Sequence, residues 1–343
     1  MGTPHIFFMA PPGFTRDWFW RGASCRRAEE LGYSVRLNEC VSAMAKSDWA
    51  EQLVGVEALL TTWGSPRLDE EVLSKSASLK IVGHVGGSVA NIVSSALYER
   101  GVRVCTANAL MARTVAEWGL MMSMIALRQL LSYAQFGASG RALDWAGTRV
   151  NTPPAHATIG IWGYGDVARE LIALLRPLDP VLLVCDEYLS VEQAARQGVE
   201  KTSLEDVLSR ADVIHCLTGL TPRSKGRIGA AELALIKSGA TLINCGRAPL
   251  IREDALISAL REERFSAIMD VYENEPLAAD HPYRSMPNVV LTPHNAGCGR
   301  DEHYLAAMLD EFARFFRGDN LQMEVGWDRA SQMTDSSLLR GKG

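Results

Sequence analysis

The chain has 343 residues, 47% of them apolar and 22% charged, with 35 basic and 40 acidic side chains giving a net charge of −5. This is the composition of a globular protein long enough for two domains. No basic run or acidic tail occurs, which argues against a nucleic-acid groove or a charged disordered arm.

The first part of the chain alternates short apolar runs with helical patterns. HIFFMA reads as a strand rather than a signal peptide, because no basic flank precedes it and Pro11-Pro12 follows at once. YSVRLNE, VEALLTTW, LKIVGHVGG and VRVCTAN read as further strands, with helical stretches such as DEEVLSKS and VANIVSSALYERG between them. This alternation predicts a parallel sheet with helices on both faces. TVAEWGLMMSMIALRQLLSYAQFG then reads as about six turns of helix with Met and Leu on nearly every side, a helix buried between domains or subunits. No run of about 20 apolar residues predicts a membrane span.

From Thr158 a second alternating series begins. ATIGIW, VLLVCD, DVIHCLT, TLINCG, FSAIMDV and NVVLTPH read as strands, and DVARELIALLRPL, SVEQAARQG, SLEDVLSRA, AELALIKSG and EDALISALREE as helices, with Gly239 a C-cap. HYLAAMLDEFARFFRG closes the chain as a long amphipathic helix, and the polar tail after Gly318 is expected to be only partly ordered. The seven cysteines (25, 40, 105, 185, 216, 245 and 298) are scattered, odd in number and free of CxxC spacing. They predict reduced thiols in a cytoplasmic protein and no metal site.

IGIWGYGDVAR carries the first chemistry. Gly163, Gly165 and Ala168 form G-x-G-x-x-A after a strand and at the opening of a helix. The first Gly permits the tight turn, the second lets backbone approach a pyrophosphate, and the small third residue lets helix and strand pack closely. Gly163, Tyr164, Gly165, Asp166 and Val167 are the expected cofactor cradle, with Asp166 required to point outward from the phosphates. Asp186 ends the next strand about 20 residues on, where a carboxylate binds the adenosine ribose hydroxyls. Asp186 and its neighbour Glu187 repel a 2′-phosphate, so NAD is expected rather than NADP.

Arg247, Glu275 and His294 each follow an apolar strand of this second series, so a parallel sheet gathers them at its carboxyl edge, the side of the glycine loop. An arginine binds a carboxylate with two parallel hydrogen bonds, a histidinium protonates a carbonyl oxygen, and a glutamate on the other ring nitrogen favours the charged imidazole. That set suits hydride exchange between a nicotinamide and a 2-oxo acid.

Asn244-Cys245-Gly246-Arg247, Asp270-Val271-Tyr272-Glu273-Asn274-Glu275-Pro276, Pro293-His294-Asn295-Ala296-Gly297, Thr114-Val115-Ala116-Glu117 and LTGLTPRSKG from Leu217 resemble the D-isomer-specific 2-hydroxyacid dehydrogenases, among them D-lactate, D-glycerate and 3-phosphoglycerate dehydrogenases and glyoxylate/hydroxypyruvate reductases. The resemblance implies a two-domain α/β fold, a Rossmann-type NAD-binding domain inserted into a flavodoxin-like parallel-sheet substrate domain. It implies residues 1–111 as the first part of the substrate domain, 112–298 as the cofactor domain, 299–330 as a helix returning to the substrate domain and 331–343 as a flexible tail. It further implies His294, Glu275 and Arg247 as catalytic residues, Thr114, Thr218 and Gly246 beside the cofactor, and Asp270 as either a structural residue or one beside the nicotinamide. Val85, Gly86 and Gly87 would contact the substrate carboxylate, in a cleft whose closure excludes water. A homodimer through the cofactor domain is implied as well.

The chain departs from the family pattern at Ala90-Asn91, where Asp-Asn is usual, at Asn108-Ala109 for Pro-Gly, at Ala248 for glycine and at Asn295 for an apolar residue. These point to an atypical pocket. Trp63 is the large aromatic expected to line it, and His84 and Arg113 are its candidate cations. Without a dense basic cluster, a small unphosphorylated 2-oxo acid is expected over 3-phosphohydroxypyruvate. Two alternatives stay open: a reductase of another small oxidised metabolite, and an NAD-binding corepressor-like protein on the same fold. Glu275 speaks against formate dehydrogenase, which pairs Gln with His.

Overall fold

Five short apolar runs form one parallel sheet: β1 (Ile6–Phe8), β2 (Val35–Leu37), β3 (Ala58–Thr61), β4 (Ile81–His84) and β5 (Arg103–Thr106), in the order β2-β1-β3-β4-β5. This is the flavodoxin-like order. The computed structural model describes residues 3–130, 133 and 151–334. All four residues of β3 and of β4 are buried, as a parallel sheet covered on both faces requires. Four helices serve this sheet: α1 (Phe14–Phe19), α2 (Ala23–Glu30), α3 (Lys46–Gln52) and α4 (Ser95–Glu99). The next helix, α5 (Asn108–Leu127), runs into the second unit.

The chain divides into two compact units, Met1–Met111 with the described residues of Cys298–Ser337, and Ala112–Gly297. The second unit contains β6 (Thr158–Trp162), α6 (Asp166–Leu175), β7 (Val181–Cys185), α7 (Val191–Arg196), β8 (Glu200–Lys201), α8 (Leu204–Arg210) and β9 (Val213–Cys216). It continues with α9 (Ala230–Leu235), β10 (Thr241–Asn244), α10 (Glu253–Leu260), β11 (Ser266–Met269) and β12 (Val289–Leu291). The seven strands are parallel in the order β12-β11-β10-β9-β6-β7-β8. That is the dinucleotide-binding order 3-2-1-4-5-6 with one strand added, and its direction reverses between β6 and β9. Cys185, Trp162, Cys216, Asn244, Met269 and Leu291 are register partners in one row across six strands. Every strand-borne candidate of the second series lies a few residues beyond that row.

The chain then returns to the first unit as α11 (Asp301–Arg317) and α12 (Trp327–Ala330). A Cβ on Gly83 of β4 would sit 3.0 Å from Met308 Cβ and from Phe312, so α11 lies directly on the sheet. Glu311 of α11 is fully buried. Its Oε2 accepts the amides of Gln322 (2.8 Å) and Met323 (3.0 Å), and Arg314 Nη1 donates to Oε1 (2.6 Å). These bonds fold the segment after Gly318 back against the helix. The polar composition of that segment concealed this, and it is ordered rather than partly ordered through Thr334, with Val325 and Ala330 buried. The start of the expected flexible tail is also held: Ser88 Oγ donates to Thr334 O at 2.7 Å. Residues 335–343 lie outside the described residues.

Several expectations need correction. DEEVLSKS is a single turn, closed by Leu73 N–H to Asp69 O (2.9 Å), and only Ser95–Glu99 of VANIVSSALYERG is helical. Gly239 is no C-cap: α9 ends four residues earlier, and Gly239 (φ 83) instead donates to Arg264 O on the way into β10. The long helix starts earlier than expected, at Asn108, and its expected end beyond residue 130 falls outside the described residues apart from 133. Among the described residues α5 alone is long and apolar enough to cross a membrane by length and composition. Its Ala112, Ala116, Gly119, Met122, Ser123 and Leu127 are buried against the protein, which accounts for much of that apolarity.

Candidate active site

The glycine loop leaves β6 at the point where strand order reverses. Gly163 has φ 106, and a Cβ there would stand 2.5 Å from the backbone N of Thr218, so only glycine fits. Thr218 thus lies against the turn. At Gly165 a Cβ would meet no protein atom within 4 Å, so the space above it is open. The first turn of α6 includes Asp166 and Val167 and opens directly after Gly165. Open space and a helix N-terminus together fit a dinucleotide pyrophosphate. Asp166 pairs its carboxylate with Arg169 across i,i+3.

Asp186 organises this loop. Its Oδ2 accepts the amide of Tyr164 (2.8 Å), and its Oδ1 accepts those of Tyr188 (2.8 Å) and Leu189 (3.1 Å). Glu187, expected to add bare negative charge, is paired with Arg223 at 2.8 Å.

At the other end of the register row, His294 Nδ1 lies 2.7 Å from Glu275 Oε2. Glu275 Oε1 accepts the amide of Tyr272 at 3.0 Å. Burial raises the Glu275 pKa, but the bonds from His294 and the Tyr272 amide, with the positive charge of Arg247, outweigh it and hold the carboxyl below its usual value. A carboxylate only accepts, so Nδ1 carries the proton toward Glu275 and Nε2 is left to face a reactant. Arg247 follows β10, its Nη1 donating to Gly246 O at 2.6 Å. Burial pushes its guanidinium pKa down, against the pull of the Glu275 charge. Gly246 is glycine because a Cβ would meet Cys216 O at 2.6 Å.

Asp270 has a structural task, one of the two the resemblance implied for it. It is 1% exposed. Its Oδ1 accepts Thr292 Oγ1 (2.6 Å) and the Asn295 amide (3.0 Å), and Oδ2 accepts the Ala296 amide (3.1 Å). The carboxylate therefore clamps the loop on both sides of His294, which sits at φ 53 in the left-handed region. The Tyr272 hydroxyl, 2.7 Å from Thr292 O, braces the same loop. Sequence reasoning missed Tyr272, although its place in the Glu275 segment was a signal. Thr114 lies on α5 in the same unit.

In the first unit, Gly86 and Gly87 follow β4. Their carbonyls accept from Thr106 Oγ1 at 3.0 and 2.7 Å, and among the described residues their amides donate to nothing. Val85 drops out of the expected contacts: its side chain is buried, and its amide donates to Thr61 O at 2.7 Å. Trp63 is 53% exposed and packs on Phe19 at 5.3 Å between centroids. A Cβ on Gly86 would stand 3.2 Å from Trp63 Nε1 and 2.6 Å from His84 Nε2, so ring and indole frame the loop. His84 is no cation. It is 1% exposed, its Nδ1 meets Thr61 Oγ1 at 3.0 Å, and burial pushes its pKa down to about 4. Arg113, the other candidate charge, is tied to Glu117 (3.0 Å) and Glu170 (3.2 Å).

Two parallel sheets, one in the dinucleotide-binding order with a glycine loop at its switch point, define a two-domain α/β protein of the nucleotide-binding dehydrogenase type. Residues 120–296, more than half of the chain, match the family described as "D-isomer specific 2-hydroxyacid dehydrogenase, NAD binding domain". The chain belongs to the D-isomer-specific 2-hydroxyacid dehydrogenase family. It is 30% identical over 257 residues to a glyoxylate/hydroxypyruvate reductase B of Yersinia pseudotuberculosis, covering 72% of this chain and 76% of that one. It is 29% identical over 287 residues to a D-3-phosphoglycerate dehydrogenase of Methanocaldococcus jannaschii, covering 82% of this chain but 54% of the relative. The chain thus spans about half the length of the phosphoglycerate dehydrogenases it matches. A phosphoglycerate oxidoreductase structure from Rhizobium etli shares the fold, with a TM-score of 0.79, 24% identity and coverage of 95% and 99% of the two chains.

Proposed function

We propose that the chain interconverts a small, unphosphorylated 2-oxo acid and its (R)-2-hydroxy acid with NAD(H). The observation that carries this reading is the His294–Glu275 pair at 2.7 Å, one loop away from Arg247 on adjacent strands of a dinucleotide-type sheet. Bound NAD(H) would supply or receive the hydride at the substrate carbon. Arg247 binds the substrate carboxylate and orients the carbonyl. His294 holds a proton at Nε2 and gives it to the carbonyl oxygen on reduction, taking it back on oxidation. Glu275 keeps the imidazole oriented and favours its charged form. Asp270 and Tyr272 hold the loop that aims it.

The absence of a charged His84 and the pairing of Arg113 support an unphosphorylated substrate such as glyoxylate, hydroxypyruvate or pyruvate. Free thiols at all seven cysteines support a cytoplasmic setting, and the exposed Met121 of α5 and nearby Leu130 support a homodimer through the second unit. The test is kcat/KM with NADH across glyoxylate, hydroxypyruvate, phenylpyruvate and a phosphorylated 2-oxo acid. A preference above about tenfold for the phosphorylated compound, ~1.4 kcal/mol in transition-state binding, overturns the substrate choice. No turnover of any 2-oxo acid overturns the reading.

A further inference from the structure

Glu187 and Arg223 stand on the loops leaving β7 and β9, the two strands that flank β6 and its glycine loop. Their ion pair, Nη1 to Oε2 at 2.8 Å, therefore spans the mouth of the loop beside Asp186. Asp186 already accepts three backbone amides. Of the roughly four lone-pair directions of a carboxylate, about one is left for a ribose hydroxyl. The acid that discriminates against a 2′-phosphate is thus largely committed to the turn, and the neighbouring Glu187 holds a guanidinium. The guanidinium side chain is 77% exposed and that of Glu187 53%. A pair so open contributes little, whereas a phosphate offers an arginine two parallel, charge-assisted hydrogen bonds. The competition for Arg223 is therefore close.

We propose that Glu187 sets cofactor choice indirectly, by holding Arg223 away from the 2′-phosphate position. Arg223 is a latent 2′-phosphate ligand, and Glu187 is its competitor rather than a simple repulsive charge. This inference rests on the reading of the second unit as a dinucleotide site.

The test reads binding, not turnover. Dissociation constants for NADH and NADPH are measured by fluorescence titration of the full chain as wild type, Glu187→Gln, Arg223→Ala and the double variant. Both side chains are exposed, so the substitutions leave the core untouched. Glu187→Gln is expected to narrow the preference for NADH about tenfold, the size of one charge-assisted bond at a partly exposed site. In the Arg223→Ala background the same change is expected to narrow it less than about twofold. An equal gain in both backgrounds means Glu187 acts by repulsion alone, and the proposal falls. Tight NADH binding with an unchanged ratio in Glu187→Gln overturns this proposal and leaves the functional reading standing. Failure of the wild type to bind either cofactor overturns both.

Discussion

Replacing Glu275 by Gln isolates the charge of the dyad. The side chain keeps its length and an oxygen for the Tyr272 amide, so the main loss is the anion facing His294 Nδ1 at 2.7 Å. Two unit charges about 4 Å apart attract by ~4 kcal/mol at an effective dielectric of 20 and by ~1 kcal/mol in bulk water. The two side chains are 48% and 38% exposed, which places the loss between those limits. Roughly 1.5–3 kcal/mol of preference for the charged imidazole is lost, equivalent to about 1–2 pH units. The wild-type carboxyl is held below its usual range, so it is an anion at neutral pH. The alkaline limb of kcat/KM for 2-oxo acid reduction should therefore move down by about 1–2 units in Glu275→Gln, with a rate loss of about 10- to 100-fold above it. The assay is a pH profile of NADH-dependent reduction, with NADH affinity measured in parallel. A variant profile superimposable on the wild type, at equal NADH affinity, would falsify the assignment of Glu275 as the partner that charges His294.

Removing the imidazole altogether, in His294→Ala, should lower turnover at least about 100-fold while NADH binding persists; near-normal turnover sinks the acid–base role. Arg247→Lys should raise KM for 2-oxo acids and lower kcat together, because an ammonium lacks the planar fork; unchanged kinetics would place the carboxylate elsewhere. Gly163→Ala forces a Cβ to within 2.5 Å of the Thr218 backbone at φ 106 and should cost about 2–5 kcal/mol of stability with loss of NADH affinity; an unaltered Tm contradicts the loop geometry. His84 and His215 are buried with pKa values pushed down to about 4 and about 3. The unfolded chain binds protons first, so their contribution is complete above about pH 6.5 and is lost as pH falls toward the folded values. From pH 7 to pH 5 the two together remove roughly 4 kcal/mol, read as a fall in urea midpoint; equal midpoints refute the burial of neutral rings.

The strands of both sheets and the three polar residues at their ends were legible because buried parallel strands are continuous apolar runs, as in ALLT and TLIN. The glycine loop was legible because backbone sterics leave little choice of residue at Gly163. The two-residue β8 carries Glu and Lys and offers no periodicity. The single turn at DEEVLSKS has the composition of a helix but stops after one backbone bond of helical span. The partners of Asp270 were not legible because Thr292, Asn295 and Ala296 are more than 20 residues away in sequence. His84 looked like a cation because charge is a property of surroundings, and its surroundings come from β3 and the Gly86 turn. Glu311, one acid among several on an amphipathic helix, carries no sequence signal of its bonds to the backbone amides of Gln322 and Met323.

The first unit is assembled from both sides of the second, and this dictates an order of events during synthesis. At the usual ribosomal pace of about 5–20 residues per second, the five strands of the first sheet emerge roughly 10–40 s before α11 does. Throughout that interval the face of β4 at Gly83, later covered by Met308 and Phe312, is bare. The second unit is continuous in the chain and can close on itself meanwhile. The first sheet is therefore the portion that nascent-chain chaperones have the longest opportunity to meet, and the Glu311 bonds to Gln322 and Met323 mark the moment at which that exposure ends.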